Sequence, residues 1–489
     1  MLQMNKVKIL TLIVLSVVVL LTACNQISEK TNEKPNVVFI LVDDLGWKDV
    51  GCYGSDYYQT PNVDKLAQAG VRFLNGYAAC TVCSPSRASI MTGKYPARIN
   101  CTNWIEGHKL PFARLKVPDW IMYMDTAEVT LAEVFKQNGY ATAHIGKWHL
   151  GEDSIYWPEN QGFDINIGGW SKGSPNRNEA LGSKGYFAPY GNPRLKDLPD
   201  DDYLTERLTD EACQYIQEHK DEPFFLNFWL YNVHKPLQAK QEKINKYLAL
   251  VDSSAHQKNP VYAAMVEHMD DAVGRIFEEL ERAEILENTF IVFSSDNGGL
   301  IGDKRNKTTN NYPLREGKGH MYEGGVRVPN ILVAPGVIKG GSTCHEPMIA
   351  MDYYPTLLEL AGLELPSSVK SSMDGVSLLP LLKGEKEIDR EAIFWHYPHY
   401  HTQGAKPYSA VRKGDWKLIR HFENDFYELY NLKSDVSENN NVLAEYPEKV
   451  EELKTLLYQW YSEVDAQFAV DNPNYDVNKQ GQKIKSSER

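Results

Sequence analysis

Basic residues are in deficit here. The 489-residue chain has 52 lysines and arginines against 65 aspartates and glutamates, a net charge of −13. That balance excludes non-specific nucleic-acid binding. Long apolar runs are lacking. The run Ile9 to Leu21 is too short to span a membrane comfortably, and behind Lys6 and Lys8 it fits an export signal. Cysteines are few, seven in all, and C-x-x-C occurs once, at Cys80 and Cys83. A four-cysteine zinc site is thereby disfavoured.

What is present begins with that leader. It ends in Leu21-Thr22-Ala23-Cys24, which resembles the lipobox of bacterial lipoproteins. The expectation is a signal peptide over 1–23, a lipidated Cys24 and a polar tether over 24–34. The mature protein would then be exported and held on a bacterial membrane, facing the periplasm or at the cell surface. With Cys24 lipidated and Cys83 set apart, five cysteines remain, and an odd number cannot all pair with one another. A 42% hydrophobic content and ten tryptophans indicate a packed globular protein of one large domain or two.

Four apolar segments end in polar residues. Val37 to Val42 runs into Asp43-Asp44, and Thr289 to Ser295 into Asp296-Asn297. Pro223 to Tyr231 leads to His234, and Tyr140 to Ile145 to Lys147 and His149. Unbroken apolar runs suit strands buried on both faces. Helical patterns lie between them at Pro61 to Ala69, Leu131 to Gln137, Tyr203 to Glu218 and Tyr262 to Arg282. The alternation predicts a large, mostly parallel α/β sheet flanked by helices, with ligands beyond the carboxyl ends of its strands. The Asp43-Asp44 and Asp296-Asn297 pairs offer hard oxygen ligands, suited to Ca²⁺ or Mg²⁺. Adjacent carboxylates repel each other unless a cation intervenes. His144 reads as a packed strand residue.

Around Cys83 the chain reads CTVCSPSRASIMTG. A redox pair, a metal clamp and a modified nucleophile are the alternatives for the cysteine. Ser84-Pro85 reads as an N-cap followed by proline at the first helical position, with Gly93 as the helix stop. Cys83 would lie just before a helix N-terminus, which favours an anion, and Arg87 one turn inside.

Cys83-Ser84-Pro85-Ser86-Arg87, continued to Gly93, resembles the signature of the formylglycine-dependent sulfatases, in the alkaline-phosphatase-like superfamily. PNVVFILVDDLGW, TPNVDKLAQAGVRF, GYATAHIGKWHLG, SSDNGG and GKGHMYEGGVRVP extend the likeness over most of the chain. The resemblance implies a sulfuric ester hydrolase in which a maturation enzyme oxidises Cys83 to formylglycine. It implies Ca²⁺, or Mg²⁺, on Asp43, Asp44, Asp296 and Asn297, with residue 83 completing the site. By the same likeness Arg87 and Lys147 hold the hydrated aldehyde, and His149 contacts its second hydroxyl. His234 and Lys318 grip the sulfate and its bridging oxygen, and Asp296 serves as base. Arg327 reads as structural.

The catalytic domain is expected over 35–375, followed by a small subdomain over 376–489 with a short antiparallel sheet and a helix. Ser409 to Ile419 reads as one strand and Tyr427 to Asn431 as another. Val450, Leu453, Leu457 and Trp460 fall on one helical face. The stretch FWHYPHYH, with His396, His399 and His401, is a candidate sugar-binding loop, as are Trp104, His108, Trp170 and the segment 171–195. The expected substrate is a sulfated oligosaccharide or polysaccharide, algal (ulvan or carrageenan) before host glycosaminoglycan. The rivals are a phosphate or phosphonate ester hydrolase of the same superfamily and an inactive, Ca²⁺-bearing glycan-binding lipoprotein.

Overall fold

The computed structural model describes residues 34–175, 177–178, 182–199, 201–302 and 307–485. The leader, Cys24 and the tether up to residue 33 lie outside the described residues.

Eight strands form the main sheet. In chain order they are β1 (Asn36–Val42), β2 (Val71–Phe73), β3 (Ala141–Gly146), β4 (Ile165–Ile167), β5 (Phe224–Trp229), β6 (Thr289–Ser295), β7 (Asn330–Val333) and β8 (Ser342–Cys344). Their spatial order is β8-β2-β7-β6-β1-β5-β3-β4. The run from β6 to β4 is parallel throughout, and β7 is antiparallel to both of its neighbours. All seven residues of β1 are buried. Val37, Phe39 and Leu41 enter the core on one face, and Val38, Ile40 and Val42 the core on the other. Side chains alternate across a strand, so a strand covered on both sides must be apolar at every position.

The helices α1 (Pro61–Ala69), α2 (Cys83–Thr92), α3 (Leu131–Gln137), α4 (Leu204–Glu218), α5 (Gln241–Ala249) and α6 (Pro260–Arg282) cover the sheet. Helix α6 starts at Asn259, whose side chain accepts from the N–H groups of Val261 and Tyr262. Among the described residues no helix is long and apolar enough to cross a membrane.

A second sheet, antiparallel, is built from β9 (Ile393–Tyr397), β10 (Tyr408–Lys413), β11 (Trp416–His421) and β12 (Phe426–Asn431). Helix α7 (Pro447–Glu463) packs on it through Val450, Leu453, Leu457 and Trp460. The single strand expected over Ser409 to Ile419 is a hairpin: Lys413 pairs with Trp416, and Gly414 takes φ +56° in the turn. The tail then leaves this subdomain. Residues 470–471 pair with 115–116, and residues 484–485 with 108–109.

The registers set the strand ends flush. Val42 lies opposite Ser295, Leu41 opposite Trp229, and Trp229 opposite Gly146. The segments that follow β1, β6, β5 and β3 therefore emerge together at one edge of the sheet.

Candidate active site

At that edge Asp43 leaves β1 with its N–H donated to Asn232 O at 2.7 Å. Asp44 turns left-handed, φ +61°, and its N–H reaches Asp296 Oδ1 at 3.2 Å. Asparagine and aspartate tolerate that region better than other residues with a side chain. Gly146 ends β3 at φ +113°, where a Cβ would collide with the Trp229 carbonyl. That glycine lets the chain turn so that Lys147 points back into the cluster.

Helix α2 begins at Cys83 itself, with Val82 as N-cap and no capping side chain. The expected Ser84 cap does not form. Ser84 Oγ instead accepts from Ile105 N–H at 3.2 Å, and Ser86 Oγ accepts from Cys80 N–H at 2.9 Å. All ten helix residues are buried. These hydroxyls tie the helix start to neighbouring loops and hold Cys83 in the cluster. Gly93 ends the helix at φ +69°, as expected. Cys80 and Cys101 are buried free thiols, and no disulfide occurs among the described residues.

Three carboxylates and three cations meet there, nearly all out of contact with water. Lys147 Nζ lies 2.7 Å from Asp43 Oδ2, Lys318 Nζ 2.5 Å from Asp44 Oδ1, and Arg87 Nε 2.8 Å from Asp296 Oδ2. Cys83 Sγ is 3.2 Å from Lys318 Nζ and 3.6 Å from Asp43 Oδ1. Arg87 also donates to Lys147 O at 2.8 Å and stacks over Trp229, 5.3 Å from the ring centroid. His234 Nε2 faces Asp44 Oδ2 at 3.7 Å, and its Nδ1–H donates to Lys235 O at 2.8 Å. His149, at φ +65°, hydrogen-bonds through Nε2 to Ile105 O.

Electrostatics split the carboxylates. Burial, opposed by Lys147 and reinforced by Asp296 and Asp44, pushes Asp43 up to about 8 in the protein alone. Burial also acts on Asp44, but Lys318 and His234 outweigh it and hold the carboxyl well below its usual range. Arg87 and Lys147 likewise keep Asp296 low against burial. Three clustered carboxylates resist joint ionisation unless further positive charge is present. Burial pushes the Cys83 thiol up to about 12 despite Lys147 and Lys318. The acidic thiolate that a helix N-terminus suggested is therefore not what this environment makes.

Several buried polar atoms in the cluster have no hydrogen-bond partner: Asp44 Oδ2, Asn297 Oδ1, Arg87 Nη2 and His149 Nδ1. Orphaned buried polar groups call for an explanation, and an ion is one. Ligand atoms of Asp43, Asp44, Cys83 and His234 lie within 4.8 Å of one another, a candidate metal site. Asp44 Oδ2 and Asn297 Oδ1 are hard oxygens left free, so the donor set fits a hard divalent cation.

Above the cluster opens a cleft of ≈ 480 Å³, with Cys83, His149, His234 and Lys318 in its lining. Trp104, Trp170 and Tyr190 form apolar wall, which places Trp104, Trp170 and part of the 171–195 segment at the cleft. His108 does not line it; its ring packs against Trp104 at 6.1 Å. His396 and His399 correct the expectation of a sugar-binding role. His396 uses both nitrogens inside the small subdomain, on Ser409 Oγ and Gln467 O, each at 2.6 Å. His399 is buried against Trp120 and bonds Thr102 Oγ1 at 2.8 Å. From the same stretch it is His401, with Thr402 and Gln403, that reaches the cleft.

Sequence reasoning missed Lys235, a further cation of the cleft beside Lys172 of the 171–195 segment. Lys172 pairs with Glu152 at 2.9 Å, and Lys235 has no ion pair among the described residues. His144 is enclosed by Trp148, Phe163 and Trp229, a packed strand residue as read. Arg327 pairs with Glu323 at 2.7 Å, the structural role expected of it.

The sulfatase family model matches residues 35–363. This chain belongs to the sulfatase family. A second model, N-sulphoglucosamine sulphohydrolase, C-terminal, matches residues 317–467 of this sulfatase. A sulfatase of Formosa agariphila is 34% identical, the alignment covering 87% of this chain and 88% of that one. An N-acetylgalactosamine-6-O-sulfatase of Bacteroides thetaiotaomicron is 29% identical, covering 90% and 96%. The crystal structure of Ps i-CgsB in complex with a neocarrahexaose is 30% identical, with a TM-score of 0.73 over 91% of this chain and 96% of that one. The protein is a type I sulfatase of the alkaline-phosphatase-like superfamily, a sulfuric ester hydrolase.

Proposed function

We propose that this sulfatase removes sulfate from a carbohydrate, using Ca²⁺ and a formylglycine made from Cys83. The observation that carries the metal reading is the pair of free buried oxygens, Asp44 Oδ2 and Asn297 Oδ1, beside Asp43 and Asp296. Those four residues would hold the ion. When bound, the cation would supply charge against the sulfate oxygens, and the hydrated aldehyde the attacking oxygen. Lys318, between Asp44 and residue 83, grips the ester's sulfate. Arg87 and Lys147 steady the side chain at 83 and are themselves fixed by Asp296 and Asp43. His234, oriented by its bond to the Lys235 carbonyl, handles the leaving alcohol's proton at Nε2, and His149 a proton of residue 83 at Nδ1.

The carbohydrate reading is supported by a cleft of ≈ 480 Å³ with aromatic wall, within the ~300–1,000 Å³ typical of small-ligand sites. Such a volume favours a chain end or a short oligosaccharide. An algal polysaccharide such as carrageenan or ulvan is the preferred source, in line with the neocarrahexaose held by a 30% identical neighbour. A host glycosaminoglycan is the second reading, in line with a 27% identical sulfatase from the glycosaminoglycan metabolism of Bacteroides thetaiotaomicron. We place the enzyme outside the cytoplasm, anchored through a lipid on Cys24 and matured by a formylglycine-generating or sulfatase-maturing enzyme.

Two measurements test this. Mass spectrometry of the tryptic peptide 73–87 from protein made in its native host is expected to show formylglycine at residue 83. Sulfate release is expected from carrageenan- or ulvan-derived oligosaccharides. Release from glycosaminoglycan fragments alone would select the second reading, and release from neither would overturn the carbohydrate assignment.

A further inference from the structure

The small subdomain brings an imidazole to the cleft that the reaction described above does not use. His401, only 9% exposed, lies in the loop after β9 and shares the cleft lining with Cys83 and Lys318. Its ring packs against Gly319, the residue next to Lys318; at φ +89° that glycine has no room for a methyl group, which would strike the imidazole. The loop is fastened on both sides. His401 N–H donates to Ala405 O at 2.9 Å, and His320 Nε2 bonds Gln403 O at 3.2 Å. Tyr408 OH bonds the Gly319 carbonyl from the other side.

The tautomer follows from these contacts. Gln403 N–H donates to His401 Nδ1 at 3.3 Å, so Nδ1 is the acceptor and the ring proton sits on Nε2. Nε2 has no hydrogen-bond partner among the described residues and is not among the sealed polar atoms, so it opens on the cleft. Burial, with Lys318 nearby, pulls this imidazole down to about 3, so it stays neutral.

We infer that His401 is a specificity-determining residue, its Nε2–H donating to an uncharged oxygen of the sugar ring that bears the sulfate. Because the ring abuts the neighbour of Lys318, the oxygen it meets belongs to the sulfated unit and not to a distant one along the chain. A neutral single donor selects a hydroxyl or an acyl carbonyl; it has no charge with which to select a second sulfate. A site that holds such a donor discriminates against substrates lacking the acceptor, because the donor then stays unpaired.

This inference rests on the carbohydrate reading, and the experiment separates the two. The matured enzyme and its His401→Ala, His401→Gln and His401→Asn variants are assayed on the best sulfated saccharide and on an aryl sulfate, which offers no neighbouring hydroxyl. The alanine variant is expected to lose about 10- to 100-fold in kcat/KM on the saccharide and less than about threefold on the aryl ester. Glutamine, whose amide reaches the place of Nε2, is expected to recover most of the loss, and the shorter asparagine is not. Should alanine unfold the loop, the glutamine and asparagine pair makes the same comparison. Equal losses on both substrates would show that His401 acts only through Lys318, and unchanged kinetics on the saccharide would show no contact; either overturns the inference. A wild-type enzyme active on the aryl ester and on no saccharide overturns the carbohydrate reading itself, and this inference with it.

Discussion

His144 makes acid sensitivity calculable. It sits on β3 with both ring nitrogens unpartnered and is enclosed by Trp148, Phe163 and Trp229, whose ring centroids lie 4.9, 5.4 and 5.5 Å away. Burial, aided by Arg87, lowers its pKa from 6.5 to about 3. The folded protein therefore keeps it neutral while the unfolded chain takes up a proton below pH 6.5. The stabilisation it contributes is fully present above the unfolded value and is lost as the pH falls from 6.5 towards about 3. Each pH unit in that window costs about 1.4 kcal/mol, or about 2.7 kcal/mol by pH ~4.5. His144→Phe removes the titration and keeps an aromatic ring in the box. Urea unfolding of both proteins at pH ~7.5 and ~4.5 supplies the test. Whatever the phenylalanine costs by fit is common to both pH values, so the difference of differences isolates the imidazole. The variant is expected to lose about 2–3 kcal/mol less than the wild type on acidification. Equal losses would refute the reasoning and mean that this ring is protonated in the fold.

Lys318→Ala is expected to lower kcat/KM at least ~10²–10³-fold on any sulfate ester, because it removes a preorganised cation next to residue 83; steady-state kinetics on an aryl sulfate check this. Dialysis against EGTA is expected to abolish activity and lower the melting temperature, with Ca²⁺ restoring both, as for any ion that binds the native state alone. Lys417, fully buried, bridges Glu323 at 2.9 Å and Glu438 at 3.0 Å. Lys417→Met is expected to cost about 3–5 kcal/mol in urea unfolding, the penalty for leaving buried carboxylates short of a cation. It should also lower kcat, because Gly324, next to Glu323, closes the loop that carries Lys318 by donating its N–H to Arg315 O at 2.9 Å.

The central sheet was legible because its strands are covered on both faces. β1, β5 and β6 are apolar nearly throughout, and that pattern survives without knowledge of any neighbour. The short strands β2, β4, β7 and β8 escaped notice. They span three or four residues, too few for a period to register, and each forms on a neighbour's ladder: β7 on β6, β2 on β7, β8 on β2 and β4 on β3. The hairpin at Gly414 was hidden for another reason: β10 and β11 continue one alternation across the turn. The start of α2 was misplaced because proline normally marks a first turn, whereas this helix begins two residues earlier and its serines bond to other segments.

The site divides in the same way. Residues tied to strand ends were readable, since the flush registers of a parallel sheet deliver whatever follows each strand to one edge. Residues of the cleft wall were not. His396, His399 and His401 look alike in sequence, and which one faces the cleft depends on how the loop after β9 folds over Gly319. Charge accounts for the rest of the arrangement. With all three ionised around a cation, Asp43, Asp44 and Asp296 are matched by Lys147, Lys318 and Arg87, so the side chains' own contribution is then close to neutral and the cluster can be buried. A divalent cation added to that set makes the pocket net positive. A sulfate monoester carries one negative charge and spreads more over its oxygens as the bond to the alcohol breaks. The carboxylates thus do two things: they hold the lysines and the arginine in place before substrate arrives, and they limit the surplus to what one ester needs.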